Sequence, residues 1–132
     1  MIAATELRLV LVTPETTLLD ERVRSMRFPM YDGQIGVLPG RAPLVGRLGI
    51  GELKLESSAG GSVRYFIDGG FVQIKGSVVT LLTDRAIPAD EIDVNQAKSD
   101  LAVALAEVPT SEESLAAKER AVERARRMSS LG

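Results

Sequence analysis

Residues 6–13 alternate strictly: Leu7, Leu9 and Leu11 fall on one side, Arg8, Val10 and Val12 on the other. A period of two with one wholly apolar face predicts a strand, partly buried on its second face as well. Thr13-Pro14-Glu15 interrupts it, and Leu18-Leu19 leads into an acidic turn at Asp20-Glu21. Residues 22–28 predict a second strand, with a bulge where the alternation slips near Ser25. Residues 32–51 break the rhythm, with six glycines and two prolines among twenty positions. Ile35, Val37, Leu38, Leu44, Val45, Leu48 and Ile50 are nevertheless apolar. A solvated linker would be polar, so this stretch predicts a packed corner between buried strands.

Alternation resumes at residues 52–56, where Leu53 and Leu55 oppose Lys54 and Glu56. The turn-forming run Ser57-Ser58-Ala59-Gly60-Gly61 predicts a hairpin whose returning strand covers residues 63–67. Asp68-Gly69-Gly70 reads as another turn, followed by strands at 71–74 and 78–83 joined by Lys75-Gly76-Ser77. Many short strands with glycine-rich turns predict an antiparallel sandwich or barrel, of which the β-sandwich is taken as the expectation. The pattern changes at Ile87-Pro88. Beyond Asp93 no glycine occurs before Gly132, and Ala97, Leu101, Leu105 and Val108 share one helical face. Pro109 ends that helix. Thr110 with Glu113 has the form of a capping box, opening a second helix over about 111–128. So short a joint predicts an antiparallel two-helix hairpin. The division expected is therefore a sandwich over residues 1–87 and a helical hairpin over 88–132.

Composition narrows the chemistry. At 132 residues and 45% hydrophobic content the chain can bury one core, and with three Phe, two Tyr and no Trp that core must be aliphatic. Cys and His are both absent, which removes disulfides, thiolate nucleophiles, His-dependent triads and the commonest metal ligands. A net charge of −2 argues against nucleic acid as a partner. No apolar run approaches the roughly 18 residues that cross a bilayer, and neither a signal peptide nor an Arg-rich transit peptide is visible. Direct membrane insertion is not expected. Asp32, Asp68 and Asp84 stand beside turns, where Asp serves conformation, and no phosphate-binding GxxxxGK[S/T] loop occurs. Catalysis by this chain alone is not expected.

Three segments in order carry a resemblance: residues 11–29 (LVTPETTLLDERVRSMRFP), 32–53 (DGQIGVLPGRAPLVGRLGIGEL) and 65–93 (YFIDGGFVQIKGSVVTLLTDRAIPADEID). Together with the helical tail they resemble the epsilon-subunit family of F-type ATP synthases, called delta in mitochondria, over essentially the whole chain. The resemblance implies a non-catalytic rotor subunit of the central stalk, coupling ion-driven rotation to ATP synthesis. Its implied partners are the gamma subunit, bound through an exposed apolar sheet face, the c-ring, and the alpha/beta catalytic head. Its implied location is peripheral, on the cytoplasmic face of the bacterial inner membrane. It also implies that Asp32, Gly33, Gln34 and Arg41 face the c-ring. Many relatives carry an acidic residue at the position of Gln34 and histidine at that of Arg41.

The tail offers two further candidates. On a helix Arg120, Arg124 and Arg127 lie within roughly 60° of one another. Residues 118–127 carry five basic and two acidic side chains, so the rest of the chain is acidic. Such a stripe is ordinarily a solvated face. The resemblance implies instead that it reaches toward the acidic surface of the catalytic head and restrains ATP hydrolysis. Alanine-rich faces bury little area, so the tail is expected to exchange between compact and extended arrangements. Some bacterial members bind ATP through Ile/Leu-Asp-x-x-Arg-Ala. Here Ile92, Asp93 and Ala97 match, but Gln96 replaces the arginine, whose charge and fork of donors hold phosphate. ATP binding is therefore expected to be weak or absent, no other cofactor is expected, and Asp93 reads as a helix N-cap. The alternative from another class is a free-standing β-sandwich adaptor or ligand-binding module with a helical dimerisation tail. Such a module would not co-purify with gamma.

Overall fold

The computed structural model describes residues 6–40 and 42–131, which form two units divided between Pro88 and Ala89. The first is built from strands β1 (Leu7–Val12), β2 (Thr17–Met30), β3 (Gly33–Val37), β4 (Leu44–Ser57), β5 (Ser62–Lys75), β6 (Val78–Leu82) and β7 (Ala86–Pro88). The second holds a 3₁₀ turn at Ala89–Glu91 and helices α1 (Val94–Ala106) and α2 (Glu112–Leu131). A β-sandwich followed by two helices is the architecture the sequence predicts.

Within the sheet unit the ladders run β1–β6–β5–β4–β2, and β2 pairs back onto β1, so the ring of strands closes. Closure removes edges that could pair with another chain. The short β3 and β7 lie outside the ring, on β2 and β5. All these ladders are antiparallel except β1–β6, which is parallel.

Strand lengths differ from the expectation. β2, β4 and β5 are fourteen residues each, and their length lets them serve both layers. β2 pairs β1 through residues 17–23 and β3 through 26–30, with the handover at a register shift between Val23 and Ser25 in the ladder to β4. That shift is the bulge expected near Ser25. β5 pairs β7 through Tyr65, Phe66 and Ile67, then β6 from Phe71 onward, with the handover at Gly69-Gly70. Asp68-Gly69-Gly70 is thus a bend inside one strand, not the turn expected. Asp20-Glu21 likewise lies within β2, opposite Val10 and Leu9. The glycine-rich stretch supplies β3 and the first half of β4, and Gly49 sits where an added Cβ would lie 2.6 Å from the Met30 carbonyl oxygen.

The interior is mainly aliphatic. Leu7, Leu9 and Leu11 of β1, Val23 and Phe28 of β2, Leu53 and Leu55 of β4, Val72 and Ile74 of β5 and Val79 and Leu81 of β6 are buried in one cluster. Each contributes about 1.5–3 kcal/mol by leaving water. Phe66 is buried outside that cluster, with the Arg85 guanidinium 5.8 Å from its ring centre.

In the helical unit Asp93 caps α1, accepting the Gln96 N–H at 3.0 Å. The cap of α2 differs from the expected Thr110–Glu113 box. Ser111 accepts the Ser114 N–H at 3.0 Å, and Ser114 Oγ accepts the N–H groups of Thr110 and Ser111 at 2.8 and 2.9 Å. The reciprocal pairing survives, one residue later and with serine in the return position. α1 packs on α2. Ala97 and Ala104 of α1 are buried and Leu101 is half-buried, whereas Leu105 is 51% and Val108 81% exposed. The buried face therefore runs through Ala97, Leu101 and Ala104 rather than Leu105, and Val108 lies beyond the end of α1 at Ala106.

Candidate functional site

The β2–β3 hairpin closes through Tyr31-Asp32 between the paired Met30 and Gly33. Asp32, Gly33 and Gln34 are all exposed there, so three of the predicted contact residues sit on one projecting tip. Arg41 lies outside the described residues. The tip is tied to β4: the Tyr31 N–H donates to the Arg47 carbonyl at 2.9 Å, and the Arg47 guanidinium lies 4.9 Å from the centre of the Tyr31 ring.

From that point a row of side chains crosses the outer surface of the sheet unit. Arg47 pairs with Phe71, Phe71 with Leu82, and Leu82 with Val12. Directly paired residues share a face, so these four lie side by side. Phe71 is 58% and Leu82 49% exposed, and neighbouring Val45 is 76% exposed. Exposed phenylalanine beside exposed leucine makes a contiguous apolar surface on the sheet. The sequence predicts an apolar sheet face without its residues. The signal that identifies them is strand phase: with Val72 and Ile74 buried, Phe71 and Gln73 must point outward.

A second cross-strand row carries charge. Arg27, Lys54 and Arg64 occupy directly paired positions on β2, β4 and β5. Glu52 bridges Arg27 at 2.9 Å and Arg64 at 3.1 Å, with 16% of its side chain exposed. Arg8 and Asp20 form a two-bond pair at 2.8 and 2.7 Å between β1 and β2. That hydrogen bonding holds the Asp20 carboxyl below its ordinary range and raises Arg8.

On α2, Arg120 and Arg127 are exposed and Arg124 is half-buried. Arg127 lies 4.0 Å from Glu123 one turn earlier. Arg127 also lines a groove with Lys118, Arg126, Leu105, Leu115 and Val122, whereas Arg120 and Arg124 do not, so the structure only partly brings the predicted stripe together. The four residues of the nucleotide motif are placed at the start of α1. Asp93 is engaged as the cap, Gln96 donates to Asp100 at 2.8 Å, Ala97 is buried and Ile92 is half-buried. Among the described residues no three of Asp, Glu, His or Cys gather in a metal-binding arrangement.

The model of the ATP synthase delta/epsilon chain β-sandwich domain matches residues 6–89. The chain belongs to the ATP synthase delta/epsilon family. The epsilon chain of Rhodopirellula baltica is 48% identical over 120 residues, covering 91% of this chain and 93% of that one. Among solved structures, a chain in the OSCP/F1/c-ring portion of the Euglena gracilis mitochondrial ATP synthase superposes with a TM-score of 0.87 at 28% identity. That match covers 96% of this chain and 81% of the other. A chain of the Tetrahymena thermophila mitochondrial central stalk/c-ring gives 0.72 at 12% identity, over 94% of both chains, and shows the fold alone. The delta/epsilon membership thus spans the sheet body, and the bacterial relative extends it over the helices. Epsilon chains are subunits of a membrane-associated complex. In this member no helix among the described residues is long and apolar enough to cross a membrane.

Proposed function

We propose that this chain is the non-catalytic epsilon subunit of a rotary ATP synthase, fixed by its sheet body to the gamma subunit and the c-ring. It would lie peripherally on the cytoplasmic face of a bacterial inner membrane and pass ion-driven rotation to the alpha/beta head. The observation that carries this reading is the outer row of Arg47, Phe71, Leu82 and Val12, with Val45 beside it. Covering so much exposed apolar surface on a well-packed body stabilises an assembly by about 25 cal/mol per Å². The projecting tip at Asp32, Gly33 and Gln34 is the proposed c-ring contact.

The helical unit is the proposed regulator. Arg120, Arg124 and Arg127 would meet acidic groups of the catalytic head in an extended arrangement and restrain hydrolysis. An alanine-lined contact between α1 and α2 supports a small free-energy gap between compact and extended forms. ATP is not proposed as a ligand, because Asp93 and Gln96 are already engaged within α1.

Co-purification with gamma is the test. Phe71→Asp and Leu82→Asp should abolish capture of the chain by gamma while leaving its own thermal unfolding within a few degrees. Undiminished capture by both variants would overturn the docking face. Truncation after Pro88 should preserve capture and proton coupling but raise ATP hydrolysis by the assembled enzyme. Unchanged hydrolysis would remove the regulatory role.

A further inference from the structure

We infer that Arg47 is a positioning residue, holding the β2–β3 tip in its contact geometry through the ring and backbone of Tyr31. Among the described residues no non-glycine has positive φ, so Tyr31 and Asp32 do not form a primed two-residue turn, and the positive φ of the tip falls on Gly33, at +142°. Contacts from β4 add to what the turn itself provides.

β4 supplies two such contacts. The Arg47 carbonyl accepts the Tyr31 N–H at 2.9 Å, and the Arg47 guanidinium covers one face of the Tyr31 ring at 4.9 Å. Tyr31 itself is 73% exposed, so the Arg47 guanidinium is a contact made on the surface. Arg47 is in turn held on β4 opposite Phe71, which anchors it to the sheet body. A cation on the body thus grips an aromatic ring at the base of the tip. A contact element fixed in advance loses less freedom on binding. The mechanical consequence rests on the reading of Asp32–Gly33–Gln34 as the c-ring contact; the positioning itself does not.

The two are separable by experiment. Amide hydrogen exchange in the full-length chain reports the tip. Arg47→Gln and Tyr31→Leu should lower protection of the residue-31 amide about two- to five-fold. Arg47→Lys and Tyr31→Phe, which keep the cation and the ring, should restore most of it. In the assembled, membrane-reconstituted enzyme, proton pumping per ATP hydrolysed should fall for the first pair and recover for the second. Unchanged protection in Arg47→Gln and Tyr31→Leu overturns the positioning role whatever pumping does. Lost protection with full pumping in both upholds the positioning and sinks the c-ring assignment of the tip.

Discussion

Gly70 is the position where the sheet body is least able to accept a side chain. It has a φ of +114°, and an added Cβ would fall inside the contact radius of the Leu82 carbonyl oxygen. The same Cβ would lie 2.8 Å from both the Leu82 carbonyl carbon and the Thr83 Cα. These are backbone atoms that cannot swing away. Thr83 is buried, its N–H donates to the Val12 carbonyl at 2.9 Å, and its hydroxyl accepts the Asp68 N–H at 3.3 Å. The backbone of residues 82–83 is therefore pinned against the bend in β5. Gly70→Ala should lose about 1–3 kcal/mol to the backbone conformation. Overpacking adds about 1–3 kcal/mol more. Whole domains are stable by only about 5–15 kcal/mol, so the sum is a large fraction. Two controls separate the contributions. Gly76 has a φ of +61° with open space around its Cβ position, and Gly49 lacks a positive φ but faces the Met30 carbonyl oxygen at 2.6 Å. Gly76→Ala should cost about 1 kcal/mol, and Gly49→Ala about 1–3 kcal/mol. Urea unfolding followed by tyrosine emission suits the purpose, since there is no tryptophan and both tyrosines, Tyr31 and Tyr65, lie in the sheet unit. If Gly70→Ala unfolds no more easily than Gly76→Ala, the tight crossing of β5 and the end of β6 is wrong.

Three further outcomes are expected. Glu52→Gln removes the carboxylate that bridges Arg27 and Arg64; stability should fall by about 1 kcal/mol, since both arginines are about half exposed, and the deficit should shrink in molar salt, as denaturant melts at two ionic strengths would reveal. Asp20, whose carboxyl is held below its ordinary range by Arg8, contributes stability that is full above the unfolded-state value near 4 and is lost as pH falls through its lower folded value. Wild type and Asp20→Asn should therefore differ in melting temperature at neutral pH and converge in strong acid; a constant difference across that window would exclude the linkage. Ser111→Ala should destabilise the start of α2 by about 1 kcal/mol, while Thr110→Ala changes little. The reverse ranking in amide exchange of residues 112–116 would return the cap to Thr110.

How far the sequence could be read depended on whether the deciding contact was local. Alternation at Leu7, Leu9 and Leu11 names a buried face because the pleat alone sets it, and these residues are buried. The slip near Ser25 is equally local and emerges as the register shift in β2. Gly69-Gly70 is different. Two glycines after an Asp have the local signature of a turn, and only the arrival of the Leu82 carbonyl, twelve residues on, makes glycine necessary inside a continuous strand. The cap of α2 fails for a related reason: Thr110 and Ser111 are both competent, and the choice depends on the chain path after Pro109. Phe71 and Leu82 pose the reverse problem. Their residue types suggest a core, yet their phase against Val72, Ile74, Val79 and Leu81 puts them outside, where the closed barrel has no use for them. An isolated fold gains nothing by exposing a phenylalanine there, whereas the proposed attachment to gamma would use such a face. Type and phase thus conflict at the residues proposed for binding.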